Sequence, residues 1–204
     1  MVKVKICGIT NLEDALLACE LGAHALGFVL YSKSARYIEP KLAAAIVQAI
    51  PIFVTTVGVC VNMPIAELNL LCQQLPLSVI QLHGDESPDY CRQVELPCIK
   101  AFRVTESFDP AQLQHYPTAA FLLDAYVDAN TFGGTGRVFD WRIARDAKRF
   151  GRIVLSGGLH AGNVSAAVRL GEPYAVDVST GVETHPGKKD EKKLRAFFEG
   201  IQRL

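Results

Sequence analysis

Two side chains in this sequence have the chemistry of an acid–base pair. Cys7 ends the run Lys3-Val4-Lys5-Ile6-Cys7, and Asp124 follows Phe121-Leu122-Leu123. A thiolate can take a proton, and a carboxylic acid in an environment that keeps it protonated can give one, so the pair suits general acid–base work on a small substrate. Near the N-terminus, Val2, Val4 and Ile6 alternate with Lys3, Lys5 and Cys7, which puts the thiol on the strand face opposite the valines. Gly8 frees the following turn, and Asn11 can cap a helix whose start Asp14 favours. A thiol at the mouth of a strand, near a helix N-terminus, is where a thiolate can be stabilised and a substrate can reach it. Taken alone, such a cysteine is more often a small buried hydrophobe. Asp124 alone fits a turn or capping role as well as an acid.

Other residues fit around this pair. Arg36 lies in a polar, basic segment, Tyr31 to Ile38, too long for a minimal connection. Its planar fork suits a carboxylate, although a lone arginine in such a loop is commonly just solvated. Ser156-Gly157-Gly158 and Ser179-Thr180-Gly181 each follow an apolar run. Such turns can expose backbone N–H groups, and a short helix from Thr180 would aim its positive end at an anion. His83 is a substrate-binding candidate that could equally be a structural donor. Lys5 shares parity with Cys7, and Asp177 shares parity with Ala175 and Ser179. A buried lysine needs a partner, so Lys5 and Asp177 are expected to approach each other beneath the site.

The elements that must position these residues alternate along the chain. Strands are expected at Val2–Ile6, Ala25–Leu30, Val57–Val61, Ser78–Leu82, Cys98–Phe102, Ala120–Leu123, Arg152–Leu155 and Tyr174–Val178. Helices are expected between them. Asn11–Leu21 would bury Leu12, Ala15, Leu16 and Cys19. A helix opened by Pro40 would bury Leu42, Ala45, Ile46 and Ala49, and one from Pro64 would bury Ile65, Leu68, Leu71, Cys72 and Leu75. Shorter helices follow from Ser87 to Val94, Asp109 to Tyr116, near Asp140 with Trp141, and from Asn163. A last helix, burying Leu194, Phe197, Phe198 and Ile201, follows a polar loop at Pro186–Asp190. A glycine-rich loop at Gly133–Gly136 sits between the sixth strand and its helix. Eight strand-then-helix units in about 200 residues point to an α/β fold of one domain spanning 1–204, a (β/α)8 TIM barrel. No G-x-G-x-x-G follows the first strand, which counts against a dinucleotide fold. In the barrel, catalytic groups gather at the C-terminal ends of strands, and phosphate sites recur after the seventh and eighth.

Composition narrows the partners. Among 204 residues, Lys+Arg 21 balance Asp+Glu 21, so no basic excess points to nucleic acid or a membrane surface. No apolar run reaches the ~20 residues of a membrane span, and no signal-peptide core opens the chain. The six cysteines are scattered without CxxC pairs or zinc spacing, so no zinc or disulfide framework is expected. Most of them read as reduced, buried thiols of a cytoplasmic protein.

The chain resembles the phosphoribosylanthranilate isomerases of tryptophan biosynthesis. The likeness rests on Lys5-Ile6-Cys7-Gly8-Ile9-Thr10, Lys33-Ser34-Ala35-Arg36-Tyr37, Gln81-Leu82-His83-Gly84, Leu122-Leu123-Asp124, Gly133-Gly134-Thr135-Gly136 and Phe139-Asp140-Trp141. It continues through Leu155-Ser156-Gly157-Gly158-Leu159, Asp177 to Glu183 and Pro186 to Asp190. Ser32 stands where a proline is common, and Thr180 where a serine is frequent. The resemblance implies an Amadori rearrangement without metal or organic cofactor, in a monomer or homodimer. Asp124 would protonate the ring oxygen, Cys7 would remove the C2 proton, and Arg36 would bind the anthranilate carboxylate. Gly157, Gly158, Ser179, Thr180 and Gly181 would hold the phosphate. Two rivals are the aminoimidazole carboxamide ribotide isomerases, which carry aspartate where Cys7 stands, and a non-catalytic barrel that binds a phosphorylated metabolite.

Overall fold

In a computed structural model, which describes residues 1–105, 107–125 and 140–202, eight parallel strands close into a barrel. They are β1 (Lys3–Cys7), β2 (Ala25–Val29), β3 (Thr55–Cys60), β4 (Val79–Leu82), β5 (Cys98–Val104), β6 (Ala120–Ala125), β7 (Ile153–Leu155) and β8 (Ala175–Val178). Each pairs with its sequence neighbours, and β8 returns to β1 with Lys5 opposite Asp177. The helices are α1 (Leu12–Glu20), α2 (Pro40–Ala49), α3 (Ile65–Gln74), α4 (Pro88–Cys91), α5 (Arg142–Ala147), α6 (Val164–Gly171) and α7 (Glu191–Gln202). The expected Gly133–Gly136 loop and Phe139 lie outside the described residues. No helix among the described residues is long and apolar enough to cross a membrane.

Strand parity sorts the core into two regions. Side chains such as Ile6, Phe28, Leu82, Leu123 and Val176 face the helices and form one large cluster. Inside the barrel, Ala101, Ala120, Leu122, Val154 and Ala175 make a smaller apolar plug. On β6 the inward set runs Ala120, Leu122, Asp124, so the plug gives way to charge at the C-terminal end. Lys5 and Asp177 meet above it, Nζ to Oδ1 2.8 Å, as parity on β1 and β8 predicts.

Several helices pack differently from the sequence pattern. α1 buries Ala15 and Ala18 while Leu12 and Leu16 are exposed, and α2 buries Ala43 and Ile46 with Leu42 exposed. Small residues let these helices lie close to the sheet, and the leucines are left at the flanks. α4 is a single turn, and Pro110–His115 forms a 3-10 helix instead of an α-helix. The polar loop expected at Pro186–Asp190 instead contributes β10 (Lys188–Lys189), antiparallel to β9 (Glu183–His185). α7 buries Leu194, Phe197, Phe198 and Ile201 as expected.

A second buried ion pair braces the loops over the mouth. Lys100 on β5 reaches Glu86 at 3.0 Å, and the same carboxylate accepts from the backbone N–H of Asn62 and Gly84. Glu86 thereby ties the loops after β3 and β4 to β5. Lys100→Met leaves that carboxylate buried without its cation and should destabilise the protein by about 3–5 kcal/mol. Urea denaturation measures this, and a loss under about 1 kcal/mol would show that the pair is not a brace.

Candidate active site

β1 delivers Cys7 to the barrel mouth, β6 delivers Asp124, and the loop after β4 delivers His83. All three line one cavity with Arg36 and Ser179. A second cavity shares Asp124, Ser156, Asp177 and Ser179 with the first and adds Gly157, Gly158, Thr180 and Gly181. The nine residues expected to act in catalysis or substrate binding (Cys7, Arg36, His83, Asp124, Gly157, Gly158, Ser179, Thr180 and Gly181) therefore line two cavities with shared walls at the C-terminal ends of the strands. The helix expected from Thr180 is a single 3-10 turn, Thr180–Val182. Gly157 has φ +85°, and a Cβ there would come within 2.3 Å of the Ala125 backbone nitrogen, so the turn after β7 requires glycine.

Arg36 is held firmly. Its Nε lies 3.0 and 3.1 Å from the two Glu183 carboxylate oxygens, and one terminal nitrogen (Nη2) donates to Oε2 at 2.8 Å and to Thr180 Oγ1 at 3.3 Å. Glu183 also accepts from Lys189 Nζ at 2.8 Å and from Ser179 Oγ at 3.3 Å. Lys189, fully buried, donates in addition to the Cys7 carbonyl. Burial pushes the Glu183 carboxyl up, but Arg36 and Lys189 outweigh it and hold the group below its ordinary value. One carboxylate thus couples the arginine, the Ser179 turn and the backbone of the thiol strand.

Asp124 and Cys7 sit in different surroundings. Asp124 Oδ2 lies 3.3 Å from His83 Nε2, and the other ring nitrogen faces the Gln81 amide, Nε2 to Nδ1 2.8 Å. One ring nitrogen of His83 thus faces the Asp124 carboxyl and the other the Gln81 amide, which fixes the plane of the ring between them. Burial pushes the Cys7 thiol up, and Asp177 adds to this, while Lys5 and Lys189 pull the other way.

This is a barrel with a thiol, a carboxyl, a clamped arginine and two small-residue turns facing shared cavities. Residues 4–200 match the family model described as N-(5'phosphoribosyl)anthranilate (PRA) isomerase. The chain belongs to that family. Its relatives include the N-(5'-phosphoribosyl)anthranilate isomerase of Geobacter metallireducens, 52% identical over 97% of this chain and 98% of that one. That of Citrifermentans bemidjiense is 53% identical over 100% of this chain and 98% of the relative. Among solved structures, the Thermotoga maritima enzyme superimposes with TM-score 0.93 at 42% identity, each chain fully covered. Another, at TM-score 0.88 and 42% identity, again with both chains fully covered, is a phosphoribosyl anthranilate isomerase in complex with reduced 1-(o-carboxyphenylamino)-1-deoxyribulose 5-phosphate. Family membership sets aside the ribotide isomerase as a rival.

Sequence reasoning assigned no role to Glu183, Lys189 or Gln81, although all three stand in motifs that carried the resemblance. Gln81 was within reach of parity, since it lies two residues before His83 on one strand face. Glu183 and Lys189 meet Arg36 and Cys7 only through the hairpin, which local pattern does not reveal.

The Glu183 ion pairs predict a direction with pH. A carboxyl held low in the fold stabilises above its unfolded value, about 4.3, and loses that contribution as pH falls through the folded value. The stability gap between wild type and Glu183→Gln should be level from neutral pH to about 5 and narrow below that. Urea denaturation across pH checks it, and a gap that grows on acidification would contradict the ion-paired geometry.

Proposed function

We propose that this chain, residues 1–204 acting as one barrel domain, converts N-(5'-phosphoribosyl)anthranilate to 1-(2-carboxyphenylamino)-1-deoxyribulose 5-phosphate, with Asp124 as acid and Cys7 as base. The observation that carries the reading is that Cys7 and Asp124 face one cavity from β1 and β6, beside the turns after β7 and β8. The complex of a family member with the reduced ribulose phosphate supports it.

The phosphate lies against Gly157, Gly158, Ser179, Thr180 and Gly181, where backbone N–H groups supply donors. The aromatic ring lies toward the apolar side of the cavity, formed by Val29, Val59 and Val61. Its carboxylate meets the part of the Arg36 guanidinium that Glu183 leaves free. Asp124 gives its proton to the furanose oxygen, the C1–O bond breaks, and the nitrogen lone pair forms a C1=N iminium. Cys7 as thiolate takes the C2 proton, and the electrons move to give the enolamine. Tautomerisation then places a proton on C1 and a carbonyl at C2. C1 is reduced and C2 oxidised, so the isomerisation is an intramolecular oxidation–reduction. Every step moves protons, so the route asks for no metal or organic cofactor. His83, whose Nε2 lies 3.3 Å from Asp124 Oδ2, is placed to hydrogen-bond the carboxylate once the acid has reacted.

The cytoplasm, where tryptophan is made, is the proposed compartment. The proposed assembly is a monomer or a homodimer. One Thermotoga maritima relative is described as monomers generated from a dimeric enzyme.

Turnover of the anthranilate substrate, followed spectroscopically, tests the reading and separates it from a binding-only barrel. Cys7→Ser should lower kcat by at least the ~10²-fold typical of a lost general base, with KM little changed. A variant with near wild-type kcat would remove Cys7 from the mechanism. Arg36→Ala should weaken substrate binding by about 1.5–3 kcal/mol, and by less for an analogue without the carboxylate. Equal losses for both ligands would show that Arg36 does not read that group.

A further inference from the structure

Cys7 needs more than a place in the cavity if it is to act as a base. Its thiol is buried, and removing a group from water disfavours the charged form. The groups that oppose this penalty can be traced around the thiol. Lys5 is two residues away on β1, on the same inward face, and its Nζ is fixed 2.8 Å from Asp177 Oδ1. Asp177 is itself oriented by Ser156, whose Oγ donates to Oδ2 at 3.2 Å. β2 contributes Gly27, which is level with Cys7 in the sheet. A Cβ on Gly27 would come within 2.7 Å of Cys7 Sγ and 3.2 Å of Lys5 Cε. The missing side chain therefore forms a slot in which the sulfur and the end of the lysine lie side by side.

We propose that Lys5 is a positioning residue for the thiol base: its ammonium, anchored by Asp177, is the counter-ion beside which the Cys7 thiolate forms, in the slot left by Gly27. The inference rests on the reading of Cys7 as base and gives that base its source of charge stabilisation. The other charged groups around the thiol act in known directions. Lys189 on β10 favours the thiolate, and Asp177 on β8 opposes it. Glu183 on β9 and Arg36 from the loop after β2 are paired with each other. His83 and Asp124 line the same cavity from the loop after β4 and from β6. Lys5 responds as a shared cation should: burial pulls its ammonium down, but Asp177 and Cys7 together hold it above its ordinary value. The Asp177 bridge thus has two effects of opposite sign on the thiol. It keeps the cation charged and in place, and it offers that cation a competing anion.

The test is a titration that does not depend on turnover. Protein labelled with [3-13C]cysteine gives one resonance per cysteine, and the Cys7 signal is the one lost in Cys7→Ser. In Lys5→Met the midpoint of that signal should rise by at least one pH unit, a tenfold weaker ionisation. In Asp177→Asn, with the competing anion gone and the lysine kept, it should fall. A purely structural bridge would move both midpoints in the same direction or leave both unchanged, and either result overturns the proposal. Should Lys5→Met not fold, Lys5→Gln, which keeps a polar group for Asp177, takes its place, and an unchanged or lower midpoint there overturns the proposal. The alkaline rise of kcat/KM should follow the same shifts. If Cys7→Ser keeps its kcat while the two midpoints still diverge, the base assignment fails and the counter-ion stands. If Cys7→Ser is inactive while the midpoints move together, only the counter-ion fails.

Discussion

The pairing of Lys5 with Asp177 is the contact on which the upper half of the barrel depends. The two residues are register partners across the seam where β8 closes onto β1, and both side chains point into the barrel. An unpaired charge at either position would face a strong desolvation penalty, so the seam's register and the ion pair reinforce each other. A slip of one residue would turn Lys5 and Cys7 into the helix layer and bring Val4 and Ile6 into the mouth. The same two strands carry the thiol and the turn beginning at Ser179. Closure of the barrel and assembly of the site are therefore one event.

Carboxylates serve as the other junctions. Glu183 gathers Arg36, Lys189 and Ser179, and Glu86 gathers Lys100 and two loop N–H groups. In both cases one buried anion satisfies donors that are far apart in sequence. Arg36 is consequently not a side chain waiting in solvent. Its fork is oriented before any ligand arrives, which reduces the ordering cost of binding.

What the sequence made legible follows from the range of each interaction. Period-two alternation is local, so the inward sets of β1 and β8, and with them Cys7, Lys5, Asp177 and Ser179, were readable from parity alone. Eight repeats of strand and helix were enough for the barrel, and that in turn placed Asp124 and the two small-residue turns at the mouth. Helix faces were harder to read. In α1 the choice between Leu12/Leu16 and Ala15/Ala18 turns on how closely the helix approaches the sheet, and hydropathy favours the bulkier pair. The hairpin of β9 and β10 was missed because Glu183 and Lys189 look solvated until Arg36 and the Cys7 carbonyl are brought to them. Distant partners are legible where strand parity and the closure of the barrel place them, as for Lys5 and Asp177, and not where an irregular hairpin does.

The charge arrangement also links phosphate binding to the acid step. Among the described residues, no lysine or arginine lines the second cavity, but Asp124 and Asp177 do. A phosphate there relies on backbone dipoles and would be repelled by two ionised carboxylates. Lys5 already neutralises Asp177. On the proposed reading, Asp124 is then the carboxyl beside the phosphate that hands its proton to the ring oxygen, so one cavity holds both the anion site and the acid. Asp124 Oδ2 faces His83 Nε2 at 3.3 Å, and Oδ1 is the oxygen turned away from the ring. It lies over Gly157, where a Cβ would come within 2.9 Å of it. The glycine after β7 therefore keeps space both for the turn and for the Asp124 carboxyl.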